Sequence, residues 1–176
     1  KQPVVVDNKP GASGNLGTAH VAQAPADGHV LLMAINTFTM TPAVYAKLPY
    51  DPVRDFEPIG KLTEAGYALA VNPQLKAKDL SGLIANSKAQ AEGMHYTSPG
   101  NGTPHHLAME LLKQSTGLQA THVPYKGVQG ALTDLIGGQV QMMFATIHSL
   151  RPHVQAGRLR WLATTGSIRS VSAPDV

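Results

Sequence analysis

Met94-His95-Tyr96-Thr97-Ser98-Pro99-Gly100-Asn101-Gly102-Thr103-Pro104-His105-His106-Leu107 is the stretch that sets the fold class. Met94 to Thr97 reads as a strand. Ser98 to Thr103 is a run of turn formers, and a helix is expected from Pro104 to about Thr116. Thr103 suits the N-cap, and Pro104 suits the first helical position, where a missing N–H costs nothing. A strand that feeds a glycine-permissive loop and then a capped helix is the unit of an alternating β/α fold.

The same unit recurs on both sides. Downstream, Ala120 to Pro124 is strand-like and Val128 to Ile136 helical, with Leu132, Leu135 and Ile136 on one face and Gly137-Gly138 as a stop. Val140 to Ala145 is a strand, Leu150 to Ala156 a short helix, and Leu159 to Thr165 a further strand. Upstream, Tyr67 to Val71 is a strand, and Asp79 to Ala91 is a helix with Leu80, Leu83 and Ile84 on one face. Nearer the start, Pro3 to Val6 reads as a β-branched strand and Asn15 to Ala24 as a helix. His29 to Ile35, apolar on both faces, reads as a central strand of a covered sheet. Residues 36–55, with Pro42, Pro49 and Pro52, read as irregular, and Phe56 to Leu62 as a short strand.

Composition agrees with many short elements. The 176 residues include 17 Gly and 13 Pro, and 43% are hydrophobic, so a packed core is attainable. Aromatics are only 5%, which leaves the core to aliphatic residues and Met. The net charge of +3 favours anions slightly; it is no nucleic-acid signature, because the Arg151–Arg169 region holds a single aromatic, Trp161, rather than aromatics interleaved with its arginines. With no Cys, a disulfide framework, a thiolate metal site and a Cys nucleophile are excluded.

Four loops are candidates for chemistry. Gly11-Ala12-Ser13-Gly14-Asn15-Leu16-Gly17 has the wrong glycine spacing for a dinucleotide fingerprint. No carboxylate stands about 20 positions on, so a tight structural turn is the default reading. Asn36-Thr37-Phe38-Thr39 follows an expected strand end, where ligands of open α/β sheets sit; the alternative is simple turn capping. Ser98 to Thr103 leads into a helix start, a carboxylate- or phosphate-binding element by its exposed N–H groups and dipole. The same features serve equally as a well-capped helix. His122-Val123-Pro124-Tyr125-Lys126-Gly127 offers a hydroxyl on Tyr125 and a charge on Lys126, or else an ordinary half-buried Tyr and a solvated Lys. Neighbouring His105 and His106 point to different helix faces, and His148 and His153 lack the spacing of a zinc helix, so no metal site is expected. A nucleophile elbow and a close carboxylate pair are both missing, so no catalytic residue is assigned and an enzyme is not expected.

Taken in order, several motifs resemble the solute receptors of tripartite tricarboxylate transporters, also called Bordetella uptake (Bug) or TctC-like receptors. They are Pro3 to Gly17, Pro25-Ala26-Asp27-Gly28, Leu48-Pro49-Tyr50-Asp51-Pro52, Gly100-Asn101-Gly102-Thr103 with His106-Leu107, His122 to Gly127, Leu132-Thr133-Asp134-Leu135 and Gly137-Gly138-Gln139-Val140. The resemblance implies an α/β fold of the periplasmic binding protein type II kind, two lobes joined by a hinge. Residues 1–71 would be a first lobe lacking its first strand, loop and helix, 72–158 a second lobe, and 159–176 a hinge strand returning to the first. It implies a periplasmic receptor that captures a small organic carboxylate and delivers it to membrane permease subunits, with no cofactor and no nucleic-acid partner. The alternatives are the ligand-sensing domain of a regulator or a small-molecule hydrolase.

By the same resemblance, ligand contacts would come from Asn36, Thr37 and Thr39 on one side. On the other would be Ser98, Asn101, Gly102, Thr103, His106, Tyr125, Lys126, Ala145 and Thr146. Ala145-Thr146 stands where many such receptors place an Asp, which favours a carboxylate without an amino group. An incomplete first lobe is expected to pair with another copy, strand exchange being one route.

Overall fold

The computed structural model describes residues 2–89, 93–174 and 176. Two short helices come first, α1 (Asn15–Ala22) and α2 (Thr37–Val44). Then follow β1 (Tyr67–Val71), α3 (Leu80–Ala89), β2 (Met94–Ser98), α4 (Pro104–Thr116), β3 (Ala120–Pro124), α5 (Val128–Ile136), β4 (Met142–Thr146), α6 (Ile147–Gln155) and β5 (Arg160–Thr164). The strands form a single sheet in the order β3-β2-β4-β1-β5.

Within it β2 runs parallel to β3 and β4, whereas β1 is antiparallel to both β4 and β5. The carboxyl ends of β2, β3, β4 and β5 therefore share one end of the sheet with the start of β1. The chain enters β1 and leaves β5 at that end, which is also where residues before Tyr67 and after Thr164 must gather. The strand at Tyr67 and the returning strand expected after residue 159, β1 and β5, lie side by side in this sheet.

Alternation along β1 divides the core. Ala68 and Ala70 face Ala131, Leu135, Met143 and Leu150, the side of α5 and α6; Leu69 and Val71 face Leu83, Met94, Tyr96, Met109 and Phe144, the side of α3 and α4. All these residues but Phe144, at 5% exposure, are fully buried. Alanines on the α5/α6 face let helices lie close, while larger side chains fill the other. Asn72, just past β1, binds this layer to the sheet: its Nδ2 donates to the carbonyls of Leu135 and Ile136 at 2.9 and 3.1 Å, at the end of α5.

From Tyr67 onward the expected elements form, with edges moved by a few residues. β4 is Met142–Thr146 rather than Val140 to Ala145, and α6 starts directly after it at Ile147 instead of Leu150. Ala91, the expected end of the helix begun at Asp79, lies outside the described residues. Before Tyr67 the outcome differs. Pro3 to Val6, His29 to Ile35 and Phe56 to Leu62 are not strands. Val4, Val5 and Val6 are 79–88% exposed, and Leu31, Met33 and Ile35 60–73% exposed. A strand exists only beside a partner that completes its ladder, and no described strand lies alongside these segments. Conversely, part of the expected irregular stretch is helical: α2 spans Thr37–Val44 with Pro42 inside it. The proline hid the helix, and the buried pair Thr37 and Thr41, one turn apart, is its inward face; Thr41 Oγ1 donates to the Thr37 carbonyl at 2.6 Å.

Candidate functional site

At the sheet end where four strands terminate, the sequence singled out three strand-end positions: Ser98, Tyr125 and Thr146. The structure brings them together. Ser98 pairs with Pro124, and the Tyr125 N–H donates to the Ser98 carbonyl at 2.9 Å. Thr146 ends β4, the other neighbour of β2, and faces Tyr67 at the start of β1.

The Ser98–Thr103 loop is braced internally. Ser98, fully buried, donates to the Gly100 carbonyl at 3.0 Å, accepts from the Gly100 N–H at 3.1 Å, and lies 2.7 Å from His122 Nε2. Thr103 Oγ1 donates to the Gly100 carbonyl at 2.7 Å and caps α4 by accepting from the His106 N–H. The Gly102 N–H donates to His106 Nδ1 at 3.2 Å. Thus Ser98, Gly102, Thr103 and His106, read from sequence as ligand groups, all hold the loop in shape.

From above, the first segment closes on this loop. Ser13 Oγ donates to the Asn101 carbonyl at 2.7 Å, and the Tyr45 hydroxyl reaches Ser13 Oγ at 3.2 Å. Gly100 and Gly102 allow the approach. A Cβ on Gly100 would lie 2.6 Å from Ser13 Oγ, and one on Gly102 2.8 Å from Val44 Cγ1. Ser13 itself sits in the left-handed region (φ 57°), as does Ala12 (φ 47°), so the Gly11–Gly14 turn is strained for this contact. The turn reads from sequence as structural, and no residue pattern singles out Tyr45 or Val44. Only the unusual pair of glycines flanking Asn101 signalled that another segment comes close.

Beneath the loop lies a stack of rings. Tyr96 and His122 are 4.8 Å apart, and His122 and His106 4.3 Å, centroid to centroid. Burial pushes the His122 pKa down to about 4, with His106 adding to the effect, and burial lowers His106 as well. Burial and the hydrogen bond to Glu110 push the Tyr96 hydroxyl far up. His105, turned the other way, packs edge-on against Tyr67 at 5.1 Å, and burial takes it to about 4.

The openings lie to either side. One cleft of about 460 Å³ is formed by Tyr125, Lys126, Gly127, Val128, Gln129 and Gly130, over the start of α5. The Tyr125 hydroxyl donates to Asp134, which raises its pKa; Lys126 is exposed. A second, of about 520 Å³, spans Glu64 to Gly66, the start of α6 at Ile147 and His148, Arg151, and Ser170 and Ser172. Unlike α4, neither α5 nor α6 carries a side-chain cap, since Gly127 and Thr146 make no cap bond. Thr146 Oγ1 instead donates to Ser149 Oγ at 3.0 Å. Ala145 is buried in β4. Asn36 and Thr39 are exposed at the start of α2, whereas Thr37 is buried with no partner for its hydroxyl among the described residues. Among the described residues no three His, Asp or Glu side chains converge to hold a metal ion.

The model of the tripartite tricarboxylate transporter family receptor matches residues 1–176. Protein BugT of Bordetella pertussis is 34% identical over 177 residues, covering 99% of this chain and 54% of its own length. A Rhodopseudomonas palustris protein solved with adipate superposes with a TM-score of 0.90 at 32% identity, over 94% of this chain and 56% of that one. MatC from the same organism, solved with malate, does so with a TM-score of 0.87 at 31% identity, over 94% and 57%. The chain spans about half the length of the curated relatives it matches. Its fold is the α/β fold of periplasmic binding proteins, and the chain belongs to the tripartite tricarboxylate transporter receptor family.

Proposed function

We propose that the protein is a periplasmic receptor that captures a small organic carboxylate at this end of the sheet and hands it to a membrane permease. The observation that carries this is the pair of clefts over the uncapped starts of α5 and α6. Helix starts present N–H groups and a positive dipole end to an anion, and Lys126 and Arg151 add cationic character beside them. The relatives solved with adipate and malate support the ligand class. Ala145-Thr146 supplies no fixed carboxylate for a ligand ammonium, so the reading favours an acid without an amino group. In this reading residues 1–71 belong to a first lobe, 72–158 to a second and 159–176 to the returning hinge. Asn36, Thr39, Asn101, Tyr125 and Lys126 are the side chains closest to a ligand.

Calorimetric titration with adipate, malate and glutamate tests it. Uptake of an acid without turnover, weakened by Lys126→Ala, is the expected result. Binding of glutamate with no binding of either simple acid rejects the assignment. Delivery is tested separately, by loss of acid uptake in cells lacking the gene.

A further inference from the structure

The loop between Ser98 and Thr103 has two side-chain anchors on its underside, and both are imidazoles. His122 Nε2 lies 2.7 Å from Ser98 Oγ, at the loop's start, and His106 Nδ1 accepts the Gly102 N–H at 3.2 Å, near its end. The two rings stack on each other at 4.3 Å, and Tyr96 stacks on His122. We infer that His106 and His122 are positioning residues for the ligand-facing loop, and that only the neutral form of His106 holds the loop in its present shape.

The two contacts respond differently to a proton. Ser98 Oγ can accept from His122 Nε2–H while donating to the Gly100 carbonyl, so that bond survives either charge state of His122. At His106 the acceptor is Nδ1 itself. Protonation there would set one N–H against another, and the Gly102 amide would lose its partner.

The surroundings favour the neutral ring. From β3, a protonated His122 would repel a charged His106; from α4, Lys113 would do the same, with its ammonium 5.3 Å from the Tyr96 ring. Glu110, also on α4, pulls the other way, but its carboxylate is already engaged by Lys113 at 2.7 Å and by the Tyr96 hydroxyl of β2. Burial lowers the pKa of both imidazoles. Above the loop, Ser13 and Val44 press on Gly100 and Gly102, so a loop released from His106 must shift against residues of the first segment.

The effect on binding rests on the receptor reading; the effect on the loop does not. The test follows the Gly102 amide and the His106 ring by NMR from about pH 8 down to about pH 4.5, with calorimetric titration of adipate at the same points. The Gly102 amide is expected to move with the midpoint of His106, and adipate affinity to fall about tenfold through it. His106→Asn, whose amide oxygen replaces Nδ1 without titrating, should bind within about twofold of wild type at neutral pH and keep only the acid limb that adipate's own carboxyls impose, losing the part that follows the His106 midpoint. His106→Phe, which keeps the stacked ring and removes the acceptor, should bind about tenfold more weakly at every pH. If His106→Phe does not fold, His106→Asn still decides the matter. A Gly102 amide indifferent to His106 ionisation, or a His106→Asn profile that keeps the wild-type acid limb in full, overturns the inference. If Gly102 follows His106 while no acid binds at any pH, the brace stands and the receptor reading falls.

Discussion

Gly102→Ala probes whether α2 truly rests on the Ser98–Thr103 loop. Two separate penalties apply at this position. Gly102 has φ +73°, a left-handed conformation that costs an L side chain about 1–2 kcal/mol. A Cβ there would also stand 2.8, 3.0 and 3.1 Å from Val44 Cγ1, Cγ2 and Cβ. Rotating Val44 does not relieve this, because its own Cβ is among the crowded atoms and a β-branched side chain has few χ1 choices. The end of α2 must therefore shift, an overpacking cost of about 1–3 kcal/mol. Gly93 supplies the control, since it has the same φ of +73° with nothing within 4 Å among the described residues. In urea unfolding, Gly93→Ala should lose only the conformational part, and Gly102→Ala about 1–3 kcal/mol more. The excess should vanish in a Val44→Ala background. Equal losses at the two glycines, or an excess that Val44→Ala leaves untouched, would refute the contact between α2 and the loop.

Acid should destabilise the protein through His105. Its folded pKa is depressed to about 4 from 6.5, so its contribution is fully present above 6.5 and drains away as pH falls towards 4, roughly 3 kcal/mol in total. His105→Phe should flatten that part of a pH series of thermal melts. Asn72→Ala removes both amide bonds to the end of α5 and should cost about 1–3 kcal/mol, read by urea unfolding. Tyr45→Phe, which deletes only the long bonds to Ser13 and Asn101, should cost under about 1 kcal/mol and leave the fold unchanged by circular dichroism. The exposed apolar residues Val4 to Val6, Leu31, Met33 and Ile35 predict pairing with a second copy, seen as a rise in solution mass with concentration; a monomer at every concentration counts against it.

How much was legible changes at Tyr67. Beyond it, local signals and tertiary context agree: Thr103-Pro104 starts α4 and Gly117 (φ +71°) ends it, as the residue types dictate. Before Tyr67 the apolar run from His29 to Ile35 carries a strand signal, but a strand is a property of two segments, and periodicity within one cannot supply the other. The helix at Thr37–Val44 failed in the opposite direction, because Pro42 contradicted a helix whose inward face is polar Thr rather than Leu or Ile. At the candidate site, the loops singled out from sequence gather at one end of the sheet, since strand ends before helices mark the ligand edge of an α/β fold. What the loop's polar groups do stays open in the sequence. Residue types show that Ser98, Thr103 and His106 can bond; only the coordinates show that their partners are Gly100, His122 and Gly102.

That distinction decides where an anion should be sought. A helix start attracts a carboxylate when its first N–H groups face solvent without another acceptor. At α4, Thr103 Oγ1 has taken the His106 amide, and the chain above is packed by Ser13 and Val44. The well-formed cap that made this helix start conspicuous in the sequence is the reason it is the less available one. At α5 and α6 the cap positions are Gly127, which has no side chain, and Thr146, which turns its hydroxyl to Ser149. Against a bonded Ser or Asp cap, an unbonded glycine cap such as Gly127 leaves α5 weaker by only about a few tenths of a kcal/mol, and an anion seated at the opening would take up the free amides. Gly127→Ser measures this directly. A serine there would offer its own oxygen to the α5 amides, raising stability while weakening adipate binding. If it stabilises the protein and leaves adipate affinity unchanged, the start of α5 is no part of the site.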